Sequence, residues 1–289
     1  MKFKEYKAEK NTNVLNLVIA IILSAIVSVF LGWIYSVMVY IPIIYLNILI
    51  VVGVGYLLGI SNTVLSKFLQ IRDKRTRLLL IIFSVFVAYY SQWISFILQT
   101  YNSEFPSFES YLSFWIYPQQ FFKAIAEINK YGTWGFGMSD PIYVRGIFLS
   151  LIWFGEAAIL FFISIVYVYR FPENPFSEKF NKWYPKIILD EEFENIYSAN
   201  RFISQFEEQG IDKILNLKNG MAFQYSKVSI FYLEGEDKQY LSIEYVQIDK
   251  REPTKSDTTV IVKPFEISTQ DAKVLFGKFE VKKEFYLNY

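Results

Sequence analysis

The sequence predicts an α-helical membrane protein with four transmembrane helices and both termini in the cytoplasm, followed by a C-terminal cytoplasmic α+β domain. Three observations carry this. First, the apolar residues are concentrated: residues 11–66 and 78–103 hold no charged side chain, and residues 146–169 hold one, Glu156. A helix needs roughly 20 apolar residues to cross a hydrocarbon core of about 30 Å, so the first run is long enough for two crossings and the others for one each. Second, the basic residues flank these runs unevenly. Lys2, Lys4, Lys7 and Lys10 precede the first run, and Lys67, Arg72, Lys74, Arg75 and Arg77 lie between the second and third crossings. The longer segment before the fourth crossing has only Lys123, Lys130 and Arg145, and Lys and Arg in short loops mark the cytoplasmic side. Third, from Arg170 onward the chain carries 17 Lys and Arg against 20 Asp and Glu, the composition of a soluble domain.

Residues 1–13 read as a cytoplasmic tail and residues 14–170 as the membrane domain, with crossings at about 14–37, 42–61, 78–99 and 145–168. The first apolar run is too long for the h-region of a signal peptide, so no cleavable signal is expected. Pro42 disfavours helix at the residue before it and places the first turn there. Trp33, Tyr35, Tyr40 and Tyr45 gather near that turn as an outer aromatic belt would. In the second crossing Gly55 and Gly59 form a G-x-x-x-G pair, which lets a neighbouring backbone approach closely. The same stretch, VVGVG, has some likeness to a potassium filter, but a filter needs a re-entrant loop behind a pore helix and the span leaves no room for one.

The outer segment, 100–143, contains an amphipathic helix over 118–130. Pro118 suits the first turn. Phe121, Phe122, Ile125 and Ile128 fall on one face, and Lys123, Glu127 and Lys130 on another. A glycine- and aromatic-rich stretch with Trp134 follows. The expected role is a helix lying in the outer interface; the alternative is a lid over a site between the helices.

The fourth crossing holds Glu156 near mid-depth. A charge there costs several kcal/mol, so intramembrane carboxylates face a bundle interior or a cavity. Tyr89, Tyr90 and Gln92 on the third crossing stand at matching depth, Ser24 and Ser28 lie near mid-depth on the first, and no Lys or Arg does. Glu156 is therefore expected in its neutral form, beside small residues Gly155 and Ala158 that allow close helix packing. Three roles stay open: hydrogen-bonding glue between helices, a proton or cation site, or a contact to another subunit.

Residues 171–185, with three prolines, read as a juxtamembrane linker, and residues 186–289 as the α+β domain. Asp190 is the expected cap of a helix carrying Phe193, Ile196, Ile203 and Phe206 and ending at Gly210. Strands follow. The apolar parity switches between Tyr225 and Val228, which predicts a bulge near Ser226 and Lys227. EGED (234–237) is a hairpin turn, Pro264 pushes its strand toward a sheet edge, and TQDAKVLFGKF (269–279) is a closing helix.

The chain has no Cys and no His, which removes thiolate chemistry and the commonest general base and metal ligand. It carries no phosphate-binding glycine loop, dinucleotide fingerprint, serine elbow or metal-spaced cluster. No metal and no cofactor are expected, and a mildly acidic domain without a basic stripe is a poor nucleic-acid binder.

The stretch INKYGTW (128–134) followed by WFGEA (153–157) resembles uncharacterised bacterial four-helix integral membrane proteins, which share an I-N-x-x-G-T-W segment and a W-x-x-E-A helix. The resemblance covers roughly residues 117–161. It implies the four-helix topology and a pairing of Trp153 with Glu156, and no activity. Some relatives carry P-F-C-x-x-C-x-x-W after the last helix; here Ser177 and Phe180 stand in the cysteine positions, so a metal site of that kind is lost.

The expected function is that of a non-enzymatic protein of the bacterial cytoplasmic (inner) membrane. Its surroundings are the lipid bilayer, and its cytoplasmic domain binds a protein partner or a second copy. The alternatives are a transport or channel component using Glu156, and a membrane-embedded enzyme. The orientation has a direct test, because the chain has no cysteine of its own. With Ser103→Cys and Ser256→Cys made separately, an impermeant thiol reagent added to intact cells should label the first and spare the second. The opposite pattern reverses the topology.

Overall fold

A computed structural model describes residues 2–8, 12–39, 44–101, 107–132, 135–136, 142–170, 174–249, 251–252 and 256–283. The chain forms two compact units: residues 9–172, which are mainly helical, and residues 173–289 joined by residues 1–8.

The helical unit runs α1 (Val14–Val39), α2 (Ile44–Phe68), α3 (Lys74–Tyr101), α4 (Phe108–Ile116), α5 (Pro118–Tyr131), a two-residue strand pair β1 (Gly135–Phe136) and β2 (Ile142–Tyr143), and α6 (Ile147–Arg170). Four of these helices, α1, α2, α3 and α6, are long and apolar enough to cross a membrane. Exposed Ile22, Ile26 and Phe30 on α1 and Leu151, Phe154 and Phe162 on α6 form the kind of apolar surface that lipid solvates. The second span continues past the expected residue 61, because its polar end is compatible with helix: Ser61, Asn62 and Thr63 each bond back to a carbonyl four residues earlier.

α3 is the most enclosed of the four. Small residues make this possible. On α1, Ala20, Ser24, Ser28, Gly32 and Ser36 recur every four residues, and all are buried. They meet Ser84, Ala88 and Ser91 of α3, which are also buried. The approach is closest at Gly32, where an added Cβ would stand 2.4 Å from the Ala88 carbonyl oxygen and 2.9 Å from the Ser91 Cβ.

The outer segment holds two helices where one was expected. Ser107 caps α4 by accepting a bond from the Ser110 N–H. Pro118 opens α5 and Gly132, at φ 78°, ends it. The pair does not extend away from the bundle. Tyr90 donates its hydroxyl proton to the Phe114 carbonyl oxygen at 2.9 Å, and its ring packs on Trp115 and Phe121. Tyr90 lies eleven residues before the end of α3, about 16 Å along the helix axis, so the α4–α5 turn reaches well down α3. The turn satisfies its own backbone, with Tyr117 N–H bonded to Ser113 O and Gln120 N–H to Tyr117 O.

The second unit is built on β3 (Phe176–Ser177), β4 (Lys182–Trp183), β5 (Lys186–Leu189), α7 (Ala199–Gln209), α8 (Asp212–Leu215), β6 (Gln224–Phe231), β7 (Lys238–Ile248), β8 (Ser256–Ser268), α9 (Thr269–Lys278) and β9 (Val281–Lys283). Five strands form an antiparallel sheet in the order β8-β7-β6-β5-β9. Phe202 and Phe206 of α7 and Ala272 and Leu275 of α9 cover one face, packing on Val228, Ile230, Leu241, Ile243 and Phe265.

Three expectations are corrected here. The helix starts at Ala199, capped by Ser198, and not at Asp190; Phe193 and Ile196 are buried in extended chain, with Phe193 bridged to Asn219 and Ser226. No bulge interrupts β6, whose pairing with β7 is continuous from Gln224 to Phe231. The parity switch arises because Val228 and Ile230 face the helices while Tyr225 faces the other side, and the irregularity falls instead between β7 and β8, opposite Lys263 and Pro264. Residues 174–184, expected within a linker, form the β3–β4 hairpin, with Phe176, Ser177 and Tyr184 buried.

The N-terminal tail makes a contact that the sequence did not signal. It pairs antiparallel with the edge strand β8: Tyr6 N–H bonds to Pro264 O at 2.7 Å and Glu266 N–H to Lys4 O at 2.9 Å. Pro264, which has no N–H, supplies only an acceptor. Phe3 packs on Phe265, and Lys4–Glu266 and Lys263–Glu5 ion pairs flank the contact. The Tyr6 and Tyr184 rings both meet Tyr240 edge-on. Burial first, then Glu266 beside it, pushes the Tyr240 phenol up to about 12. The opposite edge, β9, is three residues long and carries Lys282 and Lys283, features that discourage further strand pairing.

Gly32→Ala tests the packing of the helical unit. The new methyl meets backbone, so α1 must shift. A loss of about 1–3 kcal/mol is expected, larger than the gain from the better helix former. Thermal unfolding of the full chain in detergent should fall accordingly, and an unchanged midpoint would show that α1 and α3 are not in close contact there.

Candidate functional site

The helical unit carries polar groups inside apolar surroundings at several levels. Near one end, Asn16 Nδ2 donates to Leu69 O at 3.1 Å. Further along, Asn62 Oδ1 accepts from Ser24 Oγ at 3.0 Å and from Ser84 Oγ at 2.9 Å, while Asn62 Nδ2 donates to Leu58 O. This knot ties α1, α2 and α3 together, and all three side chains are buried. Ser164 of α6 donates to Gly55 O of α2 at 3.0 Å. Near the other end Gln99 Nε2 donates to Ser36 Oγ at 3.2 Å. With no water available in hydrocarbon, such groups must find partners within the protein.

Glu156 sits between these levels. Its carboxyl is half-buried on α6 and within electrostatic reach of two phenols, Tyr35 of α1 and Tyr89 of α3. Tyr89 donates to the carbonyl oxygen of Trp153, one turn before Glu156, at 3.0 Å. The Trp153 ring stacks edge-on against Trp93, and Trp93 against Tyr89. The aromatic groups thus hold α6 against α3 at the level of the carboxyl. Tyr35 is 1% exposed, and among the described residues its hydroxyl has no hydrogen-bond partner; the buried Ser28 hydroxyl shares that property. A buried phenol left unpaired costs free energy.

The other sequence-selected residues fall as follows. Tyr90 faces away from Glu156, toward Phe114 on α4. Gln92 is buried on α3, with its backbone against Gly32. Gly55 and Gly59 face α6, where an added Cβ would stand 3.1 Å from the Ile163 Cβ and 2.6 Å from the Tyr167 ring. Gly155 and Ala158 differ from expectation: nothing lies within 4 Å of where a Gly155 Cβ would be, and Ala158 is exposed, because α6 turns its other faces to α2 and α3. Phe121 and Ile128 are buried against α3, and Ile125 is partly so. Phe122 is 66% exposed, one position too far round the helix to share that face. Trp134 lies outside the described residues.

Tyr35 and Asn62 are two of the polar residues whose places sequence reasoning missed. Tyr35 looked like a belt aromatic, since its depth was judged from chain position alone. Asn62 fell beyond the assumed end of the second crossing. The four-residue recurrence of small residues along α1 was the available signal for both. Among the described residues no group of three or more Asp or Glu is placed to hold a metal ion.

Comparison with protein-family models, with curated proteins and with solved structures finds no match to this chain.

Substitution at Glu156 separates structural from chemical roles. Glu156→Gln keeps hydrogen-bonding capacity and should leave the unfolding midpoint in detergent nearly unchanged. Glu156→Leu should cost about 1–2 kcal/mol through partners left unpaired. Equal stability of all three proteins would mean that the carboxyl contacts nothing of consequence within the chain.

Proposed function

We propose that the chain is a protein of the bacterial cytoplasmic membrane, with both termini in the cytoplasm, whose soluble unit docks a protein partner. The carrying observation is an exposed apolar tip on that unit. The chain turns tightly at Ala222 and Phe223, with Met221 and Gln224 exchanging both backbone hydrogen bonds at 3.1 and 3.0 Å. Met221 is 74% exposed and Phe223 42%, and Tyr197, also exposed, follows Ile196, whose N–H bonds to Ser226 Oγ at the same end of the sheet. The two segments that join this unit to the helices, 2–8 and 174–184, come together instead at Tyr240. Gln224 and Phe231 bound β6, so the tip and that junction are separated by about 23 Å of strand. Methionine and aromatic side chains are favoured in the buried centres of protein interfaces.

The proposed orientation draws support from the tail. Residues 2–8 are bridged to β8 at Glu5 and Phe265 and belong to the same unit as residues 174–283, which supports placing both on one side of the membrane. Lysines and arginines at the N-terminus and in the α2–α3 connection favour the cytoplasm as that side.

Affinity purification from native membranes in mild detergent, compared between the wild-type chain and a Tyr197→Ser, Met221→Ser, Phe223→Ser variant, tests the docking surface. The variant alters exposed positions and should keep the wild-type unfolding midpoint. It should lose, at least tenfold, a protein that the wild type retains in stoichiometric amount. Identical recovery from both proteins would sink this function, and recovery of only the chain itself would replace the partner by a second copy.

A second function, transport of a proton or small cation, rests on a separate observation: the buried Tyr35 hydroxyl, without a hydrogen-bond partner among the described residues, lies within electrostatic reach of Glu156. In proteoliposomes Glu156→Gln should then abolish a cation- or proton-coupled flux while folding normally. Absence of any such flux in the wild type removes this alternative.

A further inference from the structure

We propose that the connection between α2 and α3 binds an anionic phospholipid, one whose phosphodiester charge no headgroup ammonium balances. Such binding depends neither on the docking tip nor on which end of the bundle faces the cytoplasm. Between residues 11 and 103 the charged side chains are Lys67, Arg72, Asp73, Lys74, Arg75 and Arg77. Five cations against one carboxylate leave a net charge of +4 in this segment, whichever pairs form within it. Asp73 is also committed to the start of α3, where its Oδ2 accepts from the Thr76 N–H and from Thr76 Oγ1 at 2.8 Å each.

The two flanking spans end at Phe68 and begin at Lys74, so in a bilayer the connection stands at the level of the headgroups. Its backbone is fixed. Gln70 takes a left-handed turn at φ 57°, and Ile71 N–H returns to Ser66 O at 2.8 Å. Leu69 and Ile71 are buried with Ala20 and Leu80, and Asn16 of α1 holds the Leu69 carbonyl oxygen. The cations are thus presented from an ordered turn, and an anion that binds them need not order the chain first.

Lys74 and Arg75 are exposed, Lys67 and Arg72 half-buried, and Arg77 buried, where it adds field and not contact. Lys74 Nζ stands 4.2 Å from the centroid of the Tyr169 ring, at the end of α6. Tyr169 and Phe68 are both exposed. Cations beside exposed rings complement an amphiphile, with the phosphate at Lys74 and Arg75 and the glycerol esters and acyl chains along the rings and the apolar helix surface. A free phosphate leaves the rings without a partner. A zwitterionic headgroup brings an ammonium that the cations repel, whereas clustered Lys and Arg next to a span attract anionic lipid. Biasing insertion and holding a lipid use the same charges at different times, so the first role does not exclude the second.

Native mass spectrometry of the full chain in mild detergent tests this with phosphatidylglycerol, phosphatidylcholine and phosphatidylethanolamine of identical acyl chains. Phosphatidylglycerol should be retained about fivefold more strongly than either zwitterionic lipid, the scale of one basic side chain at an anionic membrane surface. Lys74→Gln combined with Arg75→Gln should bring the three lipids to within about twofold of one another, since the contacting charges are gone. Lys74→Arg combined with Arg75→Lys keeps the charge at the same two positions and should keep the preference, which separates loss of charge from damage to the fold. Lys123→Gln combined with Lys130→Gln removes two exposed charges from α5 instead and should change nothing. Inorganic phosphate in excess should not displace the lipid, because it has no acyl chains. Equal retention of the three lipids by the wild type, a phosphatidylglycerol preference that survives loss of both Lys74 and Arg75 charges, an equal loss in the α5 variant, or displacement by inorganic phosphate would each overturn the proposal.

Discussion

At Gly32 the α1 backbone comes so close to α3 that a methyl group would overlap the Ala88 carbonyl oxygen, and the rest of the helical unit follows from that approach. Helices in a bilayer gain little from hiding apolar surface from one another, since lipid tails are equally apolar. They associate through close packing and hydrogen bonds. The small residues at every fourth position of α1 permit the first and supply hydroxyls for the second. Ser24 then reaches Asn62, which also holds Ser84, and one amide fastens three helices. The same approach carries the Tyr35 ring into the bundle, where its hydroxyl meets the field of Glu156.

α6 is held differently. It meets α2 through Gly55 and Gly59 and a hydroxyl bond from Ser164. Against α3 it relies on rings: Tyr89, Trp93 and Trp153 form edge-on contacts, with the Tyr89 hydroxyl on the Trp153 carbonyl. Aromatic contacts of this kind fill space between helices that stand further apart. That leaves Glu156 half-buried, whereas Ser24 and Asn62 are sealed.

In the α+β unit the governing constraint is the treatment of sheet edges. An unpaired edge strand is a template for pairing with other chains. β8 is covered by the chain's own N-terminal tail, with Pro264 at the irregular point of the strand, and β9 is short and lysine-bearing. Association through the described edges is thereby disfavoured, which directs attention to the apolar tip at Met221 and Phe223. The tail's lysines consequently act twice: Lys4 pairs with Glu266, and the tail still contributes to the charge asymmetry of the termini.

Much of the architecture was legible along the chain. The four apolar runs, the change of composition after Arg170, the amphipathic pattern of α5, the hairpin at 234–237, the edge position of Pro264 and the closing helix α9 are all local signals, carried by composition, periodicity or one conformationally restricted residue. What the tertiary structure alone decided involves partners distant in sequence. Phe193 and Ile196 repeat at helical spacing, yet cross-strand bonds to Asn219 and Ser226 hold that segment extended. Tyr35 and Asn62 acquire their meaning from the rotation and depth of α1 and α2, which helix-to-helix packing sets. Gly155 and Ala158 were small as expected, but α6 is rotated so that they face outward. The N-terminal tail joins β8 through Glu5 and Phe265, which are 260 positions apart in the chain. Periodicity reports which face of a helix is apolar. It does not report which neighbour that face meets, because that depends on the side chains of every helix around it.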